Sequence, residues 1–510
     1  MNLRILWLVL VGVFAYLLFY EWSEESKIKS ELAASSRVLP QGGNELSSST
    51  VSINSKNIEL VIDGESGSIV GVELKQYPVF QGEGSPSMRL LGSENTFKFY
   101  ARSGYGNKNI TYKVVDQSSN SLLLISVDGQ YSKEFVFEES YILNVVDRNL
   151  SGDIAPDPYI AFYRTDGAPL DSRSGFFEGS SYVGVAFNTP DDPYKNYRLR
   201  SIDRMVGFDQ YGGWVSFIQK YFLSSIIVNP NQKASLFVQP PTSNKGVYSM
   251  GAVYRDLGLQ DQQNGTLHRL YFGPKIRSDL MSVAPDLELS IDMGWFWFLA
   301  QPLVMLLVLI DSFVGNWGFS IIILTVLLKL LLWPISAAGY RSMAKMRVAQ
   351  PKLQEIQSRY KDDRQKLGVE MMALYRKEKI NPAGGCFPML VQIPVFIALF
   401  FALREVVELR HAPFLLWIQD LSAPDPLFIM PFLMAGLMYL TQQLNPTPPN
   451  MDPVQMQVMK VMPVAISVIF IWLPSSLVLY SVANAAFSLI QQKMMYSKYG
   501  ASDFKAPGGG

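Results

Sequence analysis

The stretch IIILTVLLKLLLWPIS, Ile321 to Ser336, decides the fold, because an apolar run of this kind predicts a helix that crosses a lipid bilayer. Trp317 and Trp333 lie sixteen residues apart at its ends, a separation of about 24 Å along a helix, and tryptophans favour both membrane interfaces. Lys329 lies inside the helix, four residues before Trp333. The sequence therefore predicts a membrane helix, 317–335, that carries a fixed positive charge.

The N-terminal part of the chain predicts a membrane anchor followed by a tether. Arg4 precedes an uncharged run of sixteen residues that ends at Glu21, and no small-residue cleavage site follows closely enough to indicate a signal peptide. Residues 1–22 are therefore interpreted as an uncleaved anchor with a cytoplasmic N-terminus. Residues 23–50 are rich in serine and lack hydrophobic periodicity, which is typical of a flexible linker.

Residues 51–275 predict a large antiparallel β-sandwich outside the membrane. Short runs of alternating apolar and polar residues recur here, and turn-forming pairs such as Asp63-Gly64 and Asp128-Gly129 lie between them. Sheets of this kind pack in layers. Some aromatic residues fit either the core or a cleft for a sugar or peptide, and the core is the favoured interpretation. These residues are Trp214, Tyr221 and Phe222.

The distribution of charge sets the topology of the rest of the chain. Residues 341–379 carry eleven Lys or Arg and five Asp or Glu, and a basic loop of this kind belongs in the cytoplasm. A membrane span at 295–310 would place this loop outside the cell. The segment 276–316 is therefore predicted to be a linker and an amphipathic helix that lies along the outer interface of the bilayer.

Four further apolar segments complete a polytopic α-helical membrane protein, with six transmembrane helices and a large extracytoplasmic β-sandwich domain. The turn Leu473-Pro474-Ser475 between the last two spans leaves no room for a further domain. The segments after the span at 317–335 are a cytoplasmic helical hairpin (336–386), a span (387–404), an outer loop (405–426), a span (427–444), a cytoplasmic loop (445–457), two spans (458–473 and 474–492) and a cytoplasmic tail (493–510).

Two interpretations of Lys329 remain open from the residues alone. At about 6 Å inside the cytoplasmic interface, the lysine can extend its ammonium group to the lipid headgroups and have no other role. The alternative is a hydrated cavity, since an ionisable group at this depth otherwise costs about 2.5–3.5 kcal/mol. The apolar runs of the six predicted spans contain no Asp or Glu to neutralise the lysine, which favours the hydrated cavity. Polar residues that suit such a cavity, although they also suit helix packing, are Thr325, Gln392, Ser467, Ser475, Ser476, Ser481 and Asn484.

The basic cytoplasmic segment predicts two amphipathic helices joined by a turn at 361–364. Apolar residues recur at helical spacing on both sides of the turn, and two such helices are typical of an antiparallel hairpin. Methionines add adaptable apolar surface that suits unrelated ligands, although simple packing on the membrane face is equally compatible with the pattern. The apolar stripes are Leu353, Ile356 and Tyr360, and Leu367, Met371 and Leu374; the methionines are Met343, Met346, Met371 and Met372.

Motifs that the sequence lacks argue against several classes of enzyme. It has no Gly-rich phosphate-binding loop that ends in Lys-Ser or Lys-Thr, no HExxH and no GxSxG. The two histidines, His268 and His411, are far apart in sequence, which argues against a His-based metal or catalytic site. Cys386 is the only cysteine, so no intramolecular disulfide forms. We therefore expect no enzyme activity, no cofactor or metal, and no nucleic-acid partner.

Four segments resemble, in order, the conserved core of the YidC–Oxa–Alb family of membrane protein insertases. The match is close over residues 295–495, and the additional anchor and the large outer domain are similar to the Gram-negative bacterial form. The four segments are GNWGFSIIILT, SMAKMRVAQPKLQEIQ, NPAGGCFPMLVQIPVF and LPSSLVLYSVANAAFSLIQQ.

The resemblance implies a hydrophilic groove that is open to the cytoplasm and to lipid and closed toward the outside. A positive residue of the first core helix faces this groove, and Lys329 stands where most bacterial members carry Arg, so the charge is kept but the bidentate fork is lost. Gln392 and Trp472 align with other groove positions, and Ser481 replaces a second tyrosine after Tyr480. The candidate substrate groove is Lys329, Thr325, Gln392, Trp472, Ser476, Tyr480 and Ser481.

The resemblance also implies location, partners and activity. It predicts an inner-membrane insertase and chaperone with both termini in the cytoplasm and a periplasmic β-supersandwich domain. Its partners would be nascent membrane proteins, the Sec translocon and the lipid bilayer, with ribosome binding as a further option although the tail is only mildly basic. A proton- or ion-coupled transporter is the alternative from another class, since a lysine among broken membrane helices also fits that class, and a passive assembly scaffold is a third.

Overall fold

The computed structural model contains two compact units, a β unit that runs to Ile291 and a helical unit that begins at Asp292. The described residues are 49–500 without 83, 95–96, 140, 166–183, 242–246, 361–362, 382–386, 446–461, 463–464 and 466. The predicted segments that lie wholly or largely outside them are the anchor (1–22), the linker (23–50), the loop (445–457), the first part of the span 458–473 and the end of the tail (501–510).

Strands make up most of the β unit. In chain order, β1 to β16 are Thr50–Asn54, Ile58–Asp63, Ile69–Pro78, Ser87–Glu94, Phe97–Tyr105, Tyr112–Gln117, Ser121–Ser126, Tyr131–Glu139, Ile142–Asn149, Pro158–Thr165, Gly184–Phe187, Lys195–Arg198, Val206–Ile218, Phe222–Gln239, Val247–Tyr254 and Thr266–Pro274. The helices are α1 (Leu259–Asn264) and α2 (Arg277–Val283), with 3-10 turns at Leu199–Ser201 and Leu287–Ser290.

The strands form one continuous antiparallel sheet that folds back on itself. The order is β1-β2-β3-β4-β5-β10-β15-β14-β16-β9-β8-β7-β6, and β13, β11 and β12 extend from β14. The two ends of this order meet, because the Asn54 N–H donates to the Ser119 carbonyl at 2.6 Å and Gln117 Nε2 donates to the Ser52 carbonyl at 3.0 Å. The prediction of a large antiparallel β domain is therefore confirmed.

The predicted turns and core residues are also found in the β unit. Asp128-Gly129 lies between β7 and β8, where Gly129 has a φ of 73° that favours glycine. Trp214, Tyr221 and Phe222 are all buried, so their assignment to the core is confirmed.

An ion pair with a histidine is buried in the core of the β unit. Lys133, Asp147 and His268 are fully buried; Lys133 Nζ lies 3.6 Å from Asp147 Oδ1, and His268 Nε2 lies 3.0 Å from Asp147 Oδ2. Burial raises the pKa of Asp147, but the charge of Lys133 and the hydrogen bond with His268 outweigh it and hold the pKa below its usual range. Burial lowers the pKa of Lys133, and Asp147 opposes that effect. The sequence did not predict this cluster.

The β unit extends beyond residue 275, the predicted end of the domain. Trp214 Nε1 donates to the Pro285 carbonyl at 2.9 Å, and Arg269 donates to the Val283 carbonyl at 3.1 Å. The segment after β16 also closes one side of a cavity of about 260 Å³ that Trp214 and Ile227 line. Residues 276–291 are therefore part of the β unit and not a linker.

A fragment of residues 49–291 should unfold cooperatively. A fragment that ends at 275 should have a free energy of unfolding lower by roughly 3 kcal/mol or more, because it loses the buried side chains of Leu280, Val283 and Leu287. Trp214 is the only tryptophan in this range, so its fluorescence reports the urea unfolding transition of each fragment. Equal unfolding midpoints, with the same emission maximum, would place the boundary at 275 after all.

In the helical unit, the helices are α3 (Trp297–Val314), α4 (Trp317–Leu331), α5 (Trp333–Val348), α6 (Gln350–Arg359), α7 (Arg364–Lys377), α8 (Phe387–Glu405), α9 (Ile429–Leu444) and α10 (Ser475–Gly500), with 3-10 turns at Val407–Leu409 and Phe470–Trp472. They are joined by short turns from α3 to α7 and by longer connections between α8, α9 and α10.

The membrane helix predicted for 317–335 ends earlier than expected. Gly315 ends α3 with a φ of 68°, and the Asn316 side chain accepts from the Phe319 N–H at 3.2 Å and caps α4. At Leu332 the chain bends by 68° into α5. Pro334 explains the bend, because it has no N–H for the carbonyl four residues earlier and its ring collides with that carbonyl.

Two other helix boundaries differ from the predicted segments. The region before the predicted turn at 361–364 contains two helices, α5 and α6, because Pro351 opens a new helix. At the C-terminal end, α10 continues to Gly500 instead of ending at 492, since no Gly or Pro interrupts it before that point.

The six predicted spans are not confirmed. Within the described part of the chain, α3 is long and apolar enough to cross a membrane, and the bent pair α4 and α5 passes the same test when it is taken as one span. The segment at 276–316, predicted to lie along the interface, therefore contains the described helix with the clearest spanning length and composition. Several of the other predicted spans fall partly outside the described residues or form shorter helices, such as α9.

Candidate functional site

Lys329 turns toward a neighbouring helix instead of toward the surface. Only 7% of its surface is exposed, and its Nζ donates to Ser488 Oγ of α10 at 2.8 Å. Ser488 in turn donates to the Asn484 carbonyl at 2.7 Å. The ammonium group of Lys329 therefore lies against α10 and is largely shielded from the surface.

The charge of Lys329 has no acidic partner among the described residues. Its hydrogen bond goes to the hydroxyl of Ser488, which is neutral. A neutral hydroxyl compensates only part of the cost of removing an ammonium group from water.

A second pair of candidate residues joins α8 to α10. Gln392 Nε2 donates to Tyr480 OH at 2.6 Å, and Tyr480 is almost fully buried. Gln392 lies just before Pro394, the proline inside α8, where the missing N–H loosens the backbone hydrogen bonds. Trp472 lies on the 3-10 turn before α10 and is 41% exposed.

The other candidate side chains are buried, and two of their hydroxyls bond within their own helices. Thr325 Oγ1 donates to the Ile321 carbonyl at 2.7 Å, and Ser481 Oγ donates to the Leu477 carbonyl at 2.8 Å. The Oγ atom of Ser476 is buried and has no hydrogen-bond partner among the described residues. The structure therefore joins α10 to Lys329 and to Gln392, and it places Thr325 and Ser481 in helix packing.

The hairpin of α6 and α7, predicted to be cytoplasmic, has its own small core. Helices α6 and α7 pack together through Leu353 and Tyr375, and Lys352 forms a salt bridge of 2.8 Å with Glu378. Met346 and Met371 pack against this core, whereas Met372 is 50% exposed and Met343 is partly buried. The four predicted methionines therefore do not form one surface.

The polar residues of α10 beyond Asn484 were missed from the sequence. Ser488, Gln491 and Gln492 follow Ser481 and Asn484 at steps of three or four residues, which places them along one face of the helix. That spacing was the signal that could have identified them. Within the described part of the chain, no group of His, Cys, Asp or Glu could hold a metal ion. The described site residues offer one positive charge, on Lys329, and hydrogen-bonding groups such as those of Gln392 and Tyr480.

Comparisons with known proteins match both units. The family model described as "YidC periplasmic domain" matches residues 50–306, and the one described as "60Kd inner membrane protein" matches residues 309–502. The membrane protein insertase YidC of Pseudomonas putida strain F1 is 39% identical over 488 residues, which cover 90% of this chain and 86% of the relative.

Two solved structures are also similar to this chain at 16% identity. A crystal structure of an active YidC insertase with its first transmembrane domain resolved has a TM-score of 0.39, with 89% of this chain and 94% of that chain covered. The crystal structure of YidC from Thermotoga maritima has a TM-score of 0.32, with 86% and 98% covered.

The fold and the family matches define an inner-membrane class of protein in which a periplasmic β domain is joined to a helical part. The chain belongs to the YidC family of membrane protein insertases.

Proposed function

We propose that this protein inserts membrane proteins by giving the polar segment of a substrate a hydrated, positively charged path through the inner part of the bilayer. The substrate's apolar helix passes directly into lipid. The observation that carries the proposal is the position of Lys329, which is buried within an apolar helix and bonded only to a neutral hydroxyl among the described residues.

The free energy for this reaction comes from the substrate. A span of about 20 apolar residues gains roughly 0.3–0.6 kcal/mol per residue on insertion, or about 6–12 kcal/mol in all. That gain offsets the movement of a short polar tail across the bilayer if water in the groove hydrates the tail for part of the distance. The protein lowers the barrier and needs no nucleotide.

The groove would open to the cytoplasm and to lipid and be closed toward the periplasm. Candidate residues on α4, α8 and α10 would line it, with Lys329 and the pair Gln392 and Tyr480 as its polar contacts. The hairpin of α6 and α7 would receive substrates from the cytoplasm through Met372 and its neighbours. Chaperone activity and cooperation with the Sec translocon belong to the same proposal.

Helix α3 is proposed to lie along the periplasmic interface. Its aromatic start and its exposed Phe313 suit that environment. A cytoplasmic basic loop at 341–379, which its excess of Lys and Arg favours, would also require this position. Both termini would then be cytoplasmic.

A cysteine in place of Lys329 tests whether water reaches this site from the cytoplasm. In a Cys386→Ser background, Lys329→Cys should react with a membrane-impermeant thiol reagent in inside-out vesicles. Leu327→Cys, at a residue that is 43% exposed on the surface of the same helix, should face lipid and stay unlabelled. If neither cysteine were labelled from either side of the membrane, water would not reach position 329. That result would contradict the proposed groove.

A further inference from the structure

One face of α10 carries polar side chains next to Lys329. Ser481, Asn484, Ser488 and Gln491 follow one another at steps of three or four residues, and Gln492 borders the same face. This helix packs against α4, α5 and α9. A helix that only packed against apolar neighbours would carry apolar residues along this face.

Gln491 stands out because its amide is buried and unpaired. Only 1% of its surface is exposed, and neither Nε2 nor Oε1 has a hydrogen-bond partner among the described residues. The Oδ1 atom of Asn484 is unpaired in the same way. The adjacent Gln492 differs at its nitrogen, since its Nε2 donates to Asn445 at 2.7 Å and to Tyr496 at 3.0 Å, whereas its Oε1 also has no partner among the described residues.

A structural role does not explain these unpaired amides. Buried polar groups in native proteins almost always have partners, and an unpaired one costs stability that a leucine of similar size would not. Gln492 shows that the amide nitrogen has hydrogen-bond partners where the side chain connects α10 to Asn445 at the end of α9; the Gln491 amide has a partner at neither atom among the described residues. The unpaired amides of Gln491 and Asn484 therefore indicate that a ligand binds there transiently.

We propose that Gln491, together with Asn484, binds the polypeptide backbone of the substrate's polar segment. This inference rests on the insertase function proposed above. A carboxamide offers one acceptor and two donors, which complement the N–H and C=O of a peptide group. Backbone recognition does not depend on side chains, so this site accepts polar segments of any sequence, whereas Lys329 responds to their charge.

Site-specific photo-crosslinking in the full-length protein tests the contact. A photo-reactive amino acid is placed at position 491, 329 or 490, and a single-span substrate is arrested during insertion. The polar tail should crosslink at 491 and at 329. Position 490 is the matched control, because Ile490 is the next residue along the helix and is 59% exposed; it should not crosslink to the tail.

The outcomes separate this inference from the proposed function. A tail that crosslinks at 329 but not at 491 overturns the backbone site and leaves the insertase function standing. A tail that crosslinks at neither position contradicts both. Equal crosslinking at 490 and 491 would mean that the tail does not follow this face of α10.

Insertion rates give a second, independent readout. Gln491→Leu should slow insertion about fivefold, as expected for the loss of about one hydrogen bond, and by the same factor for acidic, neutral and basic tails. Gln491→Asn should retain most of the rate, and Ile490→Leu all of it. A loss that depends on tail charge, or no loss at all in Gln491→Leu at normal protein level, would contradict the proposal. Should Gln491→Leu accumulate poorly, the crosslinks at 491 decide.

Discussion

Lys133→Met should destabilise the β unit by about 3–5 kcal/mol, because it removes one partner of an ion pair that has no access to solvent. Lys133 and Asp147 are both fully buried, with their charged atoms 3.6 Å apart. The carboxylate left behind would keep its hydrogen bond with His268 but lose its counter-charge. Urea unfolding of residues 49–291, followed by the fluorescence of Trp214, measures the loss.

A double variant and an exposed pair serve as controls for this prediction. Lys133→Met/Asp147→Asn should be more stable than Lys133→Met alone, since it strands no buried charge. Lys233 and Asp256 form a shorter salt bridge of 2.7 Å, but their side chains are 41% and 70% exposed. Lys233→Met should therefore leave the unfolding midpoint unchanged. If Lys133→Met were equally harmless, burial would not be what makes the ion pair important.

The sheet could be predicted from the sequence because its signals are local. Alternating apolar residues and turn pairs such as Asp128-Gly129 act over a few positions, and they identify strands and hairpins without knowledge of the fold. The buried ion pair could not be predicted. A single lysine in a strand, such as Lys133, is typical of a solvent-facing position. Its partner Asp147 and the more distant His268 reach it only through the register of β8, β9 and β16.

The end of the β unit was misplaced for a similar reason. After β16 the alternation stops, so residue 275 is the natural local boundary. The contacts that extend the unit are made by the Trp214 side chain with the Pro285 carbonyl, and backbone carbonyls carry no sequence signal. The bend at Leu332, in contrast, has a local signal in Pro334, although the prediction of a single membrane helix at 317–335 does not include a break at that point.

The candidate site was predicted in part. Lys329 is conspicuous because a charge in an apolar helix is rare and expensive, and the pair Gln392 and Tyr480 does lie in contact. The partner of Lys329 was missed, since Ser488 is 159 residues away in sequence and a serine in a membrane helix is common. The sequence identifies residues whose burial is unfavourable, such as Lys329. Only the fold shows which distant residues form hydrogen bonds with them.

Replacing Lys329 should affect insertion according to the charge of the substrate. Lys329→Ala should leave the protein folded, because its partner Ser488 is neutral and no acid among the described residues is left unpaired. It should slow insertion of a substrate with an acidic tail about tenfold or more, since a hydrogen bond to a charged group contributes about 1.5–3 kcal/mol. A neutral tail, which needs only water in the groove, should insert almost normally.

Lys329→Arg is the matched control for this series, and it should be close to the parent protein because attraction to a carboxylate and recruitment of water both survive the change. The measurement is protease protection of one single-span substrate with acidic, neutral or basic tails, at equal levels of each variant. A lysine that served only packing or headgroup contact would give the same efficiency for all three tails. Since Lys329 is buried against α10 and bonded to a neutral group, the dependence on tail charge is the result that distinguishes a binding site from a structural lysine.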